Sequence, residues 1–283
     1  MKTFKTTFYK IQSDKLKIQS IRLAVLSDLH NVELGKGNEN LLGELRKQAP
    51  DAILIAGDLV LGKEKASFQI PYAFLKEAVH IAPVYYALGN HEQRMKRKPE
   101  VYGEGYLEFE KEVRELGVVF LENETRELEV GGEKILISGL LPPYQYYKKG
   151  GKDFLKSEEI EVLLGKTSKN QFQVLLAHTP KYGDSYLEWG SDVTFSGHYH
   201  GGMVQLPFLG GVISPDFRLF PRYAYGEYRK KDNTPAKRAG RRQRVTGKEQ
   251  IMITGAGLGE HTLPLRINNP RELVVLECLP KEV

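Results

Sequence analysis

The sequence predicts one compact α/β domain in which two β-sheets pack together. Short apolar runs alternate with longer amphipathic segments in the first 120 residues, which is typical of parallel strands joined by helices. A hairpin and a strand-rich C-terminal third indicate a second, more mixed sheet. The length of 283 residues, with 41% hydrophobic residues, supplies enough apolar material for a single large domain spanning residues 1–283.

Three strand–helix pairs are predicted first along the chain. Each strand is a run of aliphatic or aromatic residues, and each helix repeats apolar residues at three- and four-residue spacing. In chain order they are strand 21–28, helix 38–48, strand 52–58, helix 70–82, strand 83–90 and helix 106–116.

The remainder of the chain is predicted to be mostly strand. Residues 122–130 and 133–140 flank Gly131-Gly132, a dipeptide that favours a tight hairpin turn. Three further apolar runs are predicted as strands: 172–178, 192–198 and 272–279.

Composition excludes several classes of protein. No apolar run approaches the roughly 20 residues that a membrane-spanning helix needs. Cys278 is the single cysteine, which excludes an internal disulfide framework and a cysteine-ligated zinc cluster. Residues 1–17 lack the apolar core of a secretory signal. We therefore expect a cytoplasmic protein.

The positive charge is concentrated in one segment. The formal net charge is +5, whereas residues 229–249 alone contain nine Lys or Arg and two acidic residues. This polar segment is predicted to be an inserted loop. Three interpretations stay open: a solvated loop, contact with an anionic membrane at about 1 kcal/mol per basic residue near the surface, and nucleic-acid binding. Nucleic acid is the less favoured partner because no aromatic residue interleaves with the basic ones.

Polar, metal-capable residues end five of the predicted strands: Asp28, Asp58, Asn90, His178 and His198. Since ligands gather outside the carboxyl ends of strands in α/β sheets, the fold should bring them together. His30 and His200 follow Asp28 and His198 by two positions, which on an extended segment puts each pair on one face. Singly, each residue would be read as a turn, cap or core residue; jointly they predict a metal site.

The ligand types indicate divalent transition metals. Two carboxylates, an amide oxygen and four imidazoles suit Mn, Fe or Zn better than Ca, and Mn is favoured. Seven ligands are too many for one tetrahedral ion but suit two cations that share Asp58. Two such cations with a bridging hydroxide carry net positive charge, so the expected substrate is a phosphate ester.

Five ordered motifs, SDLH (27–30), GD (57–58), GNHE (89–92), AH (177–178) and GHYH (197–200), resemble those of the calcineurin-like metallophosphoesterases. The resemblance implies a four-layer sandwich of two mixed β-sheets flanked by helices. It implies that one metal is held by Asp28, His30, Asp58 and His200, and the other by Asp58, Asn90, His178 and His198.

The same resemblance implies a reaction and two catalytic residues. The reaction is hydrolysis of a phosphodiester or pyrophosphate bond by attack of a metal-bridging hydroxide. His91 matches the residue that assists the leaving group or steadies the transition state, and we expect it to be protonated. Glu92 matches the position that would orient His91.

The C-terminal third resembles a bacterial subgroup that includes hydrolases of UDP-diacylglucosamine and of lipid-linked phosphates, through GHYHGGMVQLP (197–207) and GLGEHTLPLRINNPREL (257–273). The implied substrate is a lipid-linked or nucleotide-containing phosphate ester, and residues 229–249 would allow peripheral contact with an anionic membrane. Two alternatives stay open: a nuclease or cyclic-nucleotide phosphodiesterase, and a non-catalytic metal-binding scaffold that uses the basic loop.

Overall fold

A computed structural model describes most of the chain: residues 2–147, 154–202, 204–206, 210–213, 219–231, 237–238, 249–260 and 266–281. Its strands, in chain order, are β1 (Phe4–Ser13), β2 (Ile21–Leu26), β3 (Ala52–Ala56), β4 (Val84–Ala87), β5 (Val119–Leu121), β6 (Glu124–Val130), β7 (Glu133–Leu140), β8 (Phe172–Ala177), β9 (Val193–Ser196), β10 (Gln205–Leu206), β11 (Gly210–Gly211), β12 (Gly226–Lys231), β13 (Lys237–Arg238), β14 (Glu249–Thr254) and β15 (Arg271–Pro280).

The described helices lie between these strands. They are α1 (Glu39–Gln48), α2 (Gln69–Ala78), α3 (Asn90–Arg97), α4 (Pro99–Tyr102), α5 (Gly105–Glu115), α6 (Ser157–Leu164) and α7 (Gly183–Trp189), with 3-10 turns at Lys36–Asn38, Tyr144–Tyr147 and Pro180–Tyr182. Among the described residues, no helix has the length and apolarity needed to cross a membrane.

The strands form two large mixed sheets. The first has the order β1-β15-β2-β3-β4-β5, in which β15 runs antiparallel to β2 and the other pairs are parallel. The second has the order β13-β12-β14-β9-β8-β7-β6, with a parallel centre from β14 to β7 and antiparallel pairs at both edges. A two-stranded β10-β11 ribbon lies apart from both.

The core has three apolar layers because strand residues alternate between the two faces of each sheet. Leu54 of β3 packs in the layer between the sheets, whereas its neighbours Ile53 and Ile55 face α1, α2 and α5. On the second sheet, Leu175 of β8 faces the layer formed with α6 and α7. The order helix, sheet, sheet, helix confirms the predicted four-layer sandwich.

The structure extends and corrects the predicted elements. The strands before the ligand motifs end one to three residues earlier than predicted, and β4 ends at Ala87 rather than at residue 90. Sequence patterns missed the strands β1, β5 and β10–β14 and the helices α3, α4, α6 and α7. β1 and β12 lack an apolar run, and each becomes a strand by pairing with a more apolar partner, β15 or β14.

The predicted basic insertion at 229–249 begins inside β12 and ends at the first residue of β14, so its two ends are strand rather than loop. Lys237 and Arg238 form β13, which pairs antiparallel with β12. Residues 232–236 and 239–248 lie outside the described part of the chain.

Candidate metal centre

Six of the seven predicted ligands lie on loops that directly follow strands of the two sheets. Asp28 and His30 follow β2, and Asp58 follows β3; His178 follows β8, and His198 and His200 follow β9. Asn90 differs, because it is the first residue of α3 rather than the end of a strand. The chain therefore places this amide at a helix N-terminus, two residues before the fully buried Glu92.

The ligand loops are joined by backbone hydrogen bonds. The N–H of Asp28 donates to the carbonyl of Gly57 (3.0 Å), and the N–H of His30 donates to the carbonyl of Asp58 (3.2 Å). Across the second sheet, the N–H of Gly197 donates to the carbonyl of His178 (2.9 Å). The strand ends are thereby fixed against one another before any metal binds.

The backbone at the ligands is left-handed rather than extended. Asp28 and His30 have φ values of 52° and 48°, and His198 and His200 have 62° and 48°. An extended segment therefore does not align either pair, contrary to the prediction. Each pair lies on backbone with positive φ, at an energetic cost that is common in functional sites.

Two of the motif glycines are required by close approach. A Cβ on Gly89 would overlap Oδ1 and the backbone nitrogen of Asp58, and a Cβ on Gly197 would overlap Oδ2 of Asp28. Each glycine directly precedes a predicted ligand in the chain. The G-N and G-H dipeptides thus let the backbone pack directly against a carboxylate of the site.

Six of the predicted ligands, together with His91, form three overlapping clusters in which the candidate ligand atoms lie within 4.8 Å of one another: Asp28–His30–His200, Asp58–His178–His198 and His30–Asp58–His91. Nε2 of His178 lies 3.0 Å from Oδ2 of Asp58, and Nε2 of His200 lies 3.6 Å from Oδ1 of Asp28. The cluster of Asp28 and the cluster of His178 are adjacent, because Nε2 of His178 is also 3.9 Å from Oδ1 of Asp28.

The electrostatics of the clusters favour a cation. Burial lowers the pKa of His178, but the carboxylates of Asp58 and Asp28 outweigh it and raise that pKa to about 10. Burial raises the pKa of Asp58, but His178 and His91 hold it well below its ordinary value. Positive charge is therefore stabilised between the carboxylates, at the place where metal ligands converge.

The donor atoms also fit a metal. Oδ1 of Asn90 is buried and has no hydrogen-bond partner among the described residues. Nδ1 of His178 lies 2.8 Å from the carbonyl of Ala56, which can only accept, so Nδ1 donates to it and Nε2 is the ring nitrogen that faces Oδ2 of Asp58, 3.0 Å away. Metal-ligating histidines are held in this way. Unpaired buried acceptors are costly unless something binds them, and a divalent cation is what these donors suit.

His91 lies at the edge of the clusters, with its Nε2 3.9 Å from Oδ2 of Asp58. Its Nδ1 accepts the backbone N–H of Gly62 (2.8 Å) and lies 3.1 Å from Nη2 of Arg94. Since Nδ1 accepts, the proton of the neutral ring is on Nε2, toward the site. The pKa of His91 is lowered to about 3. Burial is the largest cause, His30 and Arg94 also lower this pKa, and the carboxylate of Asp58 opposes them by raising it. The expectation of a protonated His91 is therefore wrong for this structure.

Glu92 does not orient His91, contrary to the prediction. Its carboxylate accepts the backbone N–H groups of Asp58 (3.0 Å), Val60 (3.2 Å) and Gly89 (2.8 Å), and the hydroxyl of Tyr86 (2.7 Å). Glu92 thus ties the loop that carries Asp58 to the start of α3. Gly62 and Arg94 are the residues that hold the imidazole of His91.

Comparison with known proteins now identifies the family. Residues 21–202 match the family described as calcineurin-like phosphoesterase. The chain belongs to the calcineurin-like phosphoesterases. Members of this family are metal-dependent hydrolases of phosphoric esters that use divalent metal ions, which agrees with the clusters of candidate ligands.

Several bacterial proteins are similar to this phosphoesterase over much of its length. An uncharacterized metallophosphoesterase of Helicobacter pylori strain J99 is 30% identical over 277 residues, covering 96% of this chain and 63% of that protein. The phosphodiesterase YaeI of Escherichia coli K12 is 24% identical over 177 residues, covering 60% and 56%. The chain thus spans about 63% of the length of the Helicobacter relatives.

A solved structure shares the fold. The NAD nucleotidase of Haemophilus influenzae superimposes with a TM-score of 0.50 at 18% identity, over 84% of this chain and 50% of that one. At this level of identity the likeness concerns the fold alone.

Residues that support the phosphoesterase ligands were missed by sequence reasoning. Asn269 donates from Nδ2 to the carbonyl of His200 (2.6 Å), and Arg266 places Nη2 3.3 Å from Nδ1 of the same histidine. Arg266 also donates to the carbonyl of Gly259 (2.6 Å). The one available signal was a lone arginine in the otherwise apolar run LPLRI (263–267).

Proposed function

We propose that the protein hydrolyses a phosphodiester or pyrophosphate bond at a centre of two divalent metal ions, with Mn²⁺ favoured. The observation that carries this proposal is the position of Asp58, whose carboxylate belongs to two of the clusters. Its Oδ2 lies 3.0 Å from Nε2 of His178 and 3.9 Å from Nε2 of His30. A carboxylate oxygen near imidazoles from two clusters suits a bridge between two cations.

The chemistry divides between the cations and the protein. When bound, the two cations would lower the pKa of a water molecule and neutralise phosphoryl oxygens during an in-line displacement. Asp28 and Asp58 hold the negative charge that retains the cations. His91 directs its Nε2–H toward the site and can donate a hydrogen bond to the departing oxygen without first becoming cationic.

We propose further that the substrate carries an apolar part, as a lipid-linked phosphate does. Leu206, Leu219, Phe220 and Ile267 are 41–69% exposed and lie on short segments that hydrogen bonds join side by side. Exposed apolar side chains grouped in this way are typical of binding surfaces. The basic residues of 229–249 would add attraction to anionic lipid headgroups.

The metal-dependent activity is tested with bis-p-nitrophenyl phosphate. Chelator-stripped protein should be inactive, and Mn²⁺ should restore turnover. Asp58→Asn should lose on the order of a hundredfold or more, the loss typical of removing one transition-state interaction. The matched control is Asp14→Asn, an exposed aspartate that should keep full activity. Elemental analysis of the dialysed wild-type protein should find two Mn²⁺ per chain.

Each alternative has its own outcome in the same assay. Cleavage of plasmid DNA without turnover of the small diester would favour a nuclease. Tight Mn²⁺ binding without turnover of any ester would favour a scaffold and contradict the proposal.

The apolar surface is tested separately. Leu219→Ser with Phe220→Ser should lower hydrolysis of a diester presented in anionic vesicles about tenfold, because two large side chains lose apolar contact. Hydrolysis of the water-soluble diester should not change. Equal rates on the vesicle substrate for variant and wild type would contradict the lipid-linked substrate.

A further inference from the structure

Tyr147 brings an unpartnered hydroxyl to the edge of the metal clusters. Its ring centroid lies 6.2 Å from that of His198 and 6.5 Å from that of His178. The hydroxyl oxygen is buried and has no hydrogen-bond partner among the described residues. Buried tyrosine hydroxyls normally find one, and leaving one unpaired costs stability. An orphaned hydroxyl beside a ligand cluster therefore points to a partner that arrives with the substrate.

The backbone that leads to Tyr147 is fixed on two sides. The carbonyl of Pro142 accepts a hydrogen bond from Nε2 of Gln93 on α3 (2.8 Å), and the carbonyl of Tyr146 accepts one from the hydroxyl of Tyr182 (2.8 Å). Tyr146 also packs edge-on against Tyr182, with ring centroids 5.5 Å apart. The backbone that carries the phenol of Tyr147 is thus held in place before the substrate binds, and such preorganisation is typical of effective transition-state donors.

The hydroxyl lies within electrostatic reach of the Asp58 carboxylate. Burial and then the carboxylate of Asp58 raise the pKa of Tyr147 above its ordinary value, which agrees with a phenol that keeps its proton close to that carboxylate. A protonated phenol can donate to an anionic oxygen. Phosphate esters present anionic non-bridging oxygens, and no other described group satisfies this donor.

We propose that Tyr147 is a substrate-binding residue whose hydroxyl donates a hydrogen bond to a non-bridging oxygen of the bound phosphate ester. The assignment rests on the proposed function, since it requires a phosphoryl group at the metal centre. It adds a side chain from the segment after β7 to a site otherwise built from the ligand motifs.

The test compares Tyr147→Phe with Tyr146→Phe. The first variant removes the unpartnered hydroxyl, while the second removes the neighbouring hydroxyl, which donates to Oε1 of Glu159 (2.5 Å) away from the site. We expect Tyr147→Phe to lower kcat/KM for bis-p-nitrophenyl phosphate about tenfold to a hundredfold. It should weaken inorganic phosphate binding to the Mn²⁺-loaded protein, measured by calorimetry, about tenfold. Tyr146→Phe should leave both quantities unchanged.

A stability measurement separates a binding role from a structural one. Tyr147→Phe should raise the Tm of the metal-free protein by about 2–4 °C, because it removes an unpaired buried hydroxyl. Tyr146→Phe should lower Tm, because it breaks an existing hydrogen bond. A structural Tyr147 would give a lower Tm instead.

Three results would overturn the assignment. Unchanged kcat/KM and phosphate affinity in Tyr147→Phe would exclude substrate contact. A loss of Mn²⁺ affinity above about tenfold would make Tyr147 a metal ligand instead. A lower Tm would make its role structural. If the wild-type protein does not hydrolyse the ester, the proposed function fails by itself, while phosphate binding by the two variants still decides the role of Tyr147.

Discussion

His91 owes its orientation to one backbone group and one guanidinium. The N–H of Gly62 donates to its Nδ1, while Arg94 lies against the same nitrogen and also donates to the carbonyl of Gly62. Arg94 therefore fixes both the ring and the peptide that holds it. Since Arg94 lies one helical turn after His91 on α3, the arrangement follows from the N-terminal position of the GNHE motif on that helix.

Arg94 should act on the reaction through His91. We expect Arg94→Gln to lower kcat/KM for the diester about tenfold, in the range observed for groups that position an active imidazole. In a His91→Ala background the same substitution should change kcat/KM less than about twofold, because the ring that Arg94 positions is gone. Arg97→Gln, at the exposed end of the same helix, is the matched control. Equal losses in both backgrounds would show that Arg94 acts independently of His91.

Glu92 should contribute to stability. Its buried carboxylate accepts four hydrogen bonds, so the amide of Glu92→Gln would turn an N–H₂ group toward donors. We expect the free energy of unfolding of the metal-free protein to fall by about 3 kcal/mol, measured by urea denaturation. Glu108→Gln, on the exposed face of α5, should change it by less than about 0.5 kcal/mol. An unchanged free energy for Glu92→Gln would contradict the bracing role.

The strands and loops that carry the candidate residues explain which parts of the site could be predicted from the sequence. The candidate ligands were predictable because Asp, Asn and His come at or just after the ends of apolar runs. The geometry was not, because the φ values of 52° at Asp28 and 62° at His198 come from loop–loop hydrogen bonds that local sequence does not encode. Tyr147 gave no signal in the sequence and Arg266 gave only that of a lone charge in an apolar run, because nothing local shows that the fold brings their segments to the ligand motifs.

The start of β7 carries an ionisable side chain that should make the free energy of unfolding depend on pH. Glu133, the first residue of β7, accepts the backbone N–H groups of Lys17 and Ile18 (2.7 Å each) and so joins the second sheet to the connection before β2. Burial raises its pKa, but these donors outweigh burial and hold the pKa below the ordinary 4.5.

A carboxyl group whose pKa is lower in the folded than in the unfolded protein stabilises the fold at pH values above its unfolded-state pKa. This stabilisation is lost as the pH falls through the folded-state pKa. Glu133→Gln should therefore cost about 1–2 kcal/mol at pH 7, and the difference from wild type should shrink below about pH 4. Urea denaturation at several pH values measures it. Glu129→Gln, exposed on β6, is the control and should show no such trend. A difference that stays constant down to pH 3 would contradict this account.

The candidate metal site is formed by loops from both sheets of the molecule. The loops after β2 and β3 supply ligands from the first sheet, and the loops after β8 and β9 supply them from the second. A bound cation would therefore connect both halves of the sandwich. The order of the motifs along the chain implied this arrangement. It did not imply the pairing of β1 with β15, because the sequence around β1 does not indicate a partner strand so distant in the chain.

Metal binding should consequently stabilise the entire fold. At a Mn²⁺ concentration about 100 times Kd, mass action adds about 2.7 kcal/mol, which corresponds to a rise in Tm of about 5–10 °C. Differential scanning calorimetry with and without chelator measures the change. Asp58→Asn should lose most of the rise and Asp14→Asn should keep it. A rise of equal size in both variants would mean that the cation binds elsewhere.

The position of β15 between β1 and β2 has a consequence for synthesis on the ribosome. β1 is translated well before β15, the strand with which it pairs over Phe4–Ser13. This pairing cannot form until β15 has been synthesised, and until then both edges of β1 are open to intermolecular pairing. Lys5 and Lys10 on this strand oppose such pairing by charge repulsion. A nascent chain halted before Arg271 should accordingly bind chaperones more strongly than the released protein.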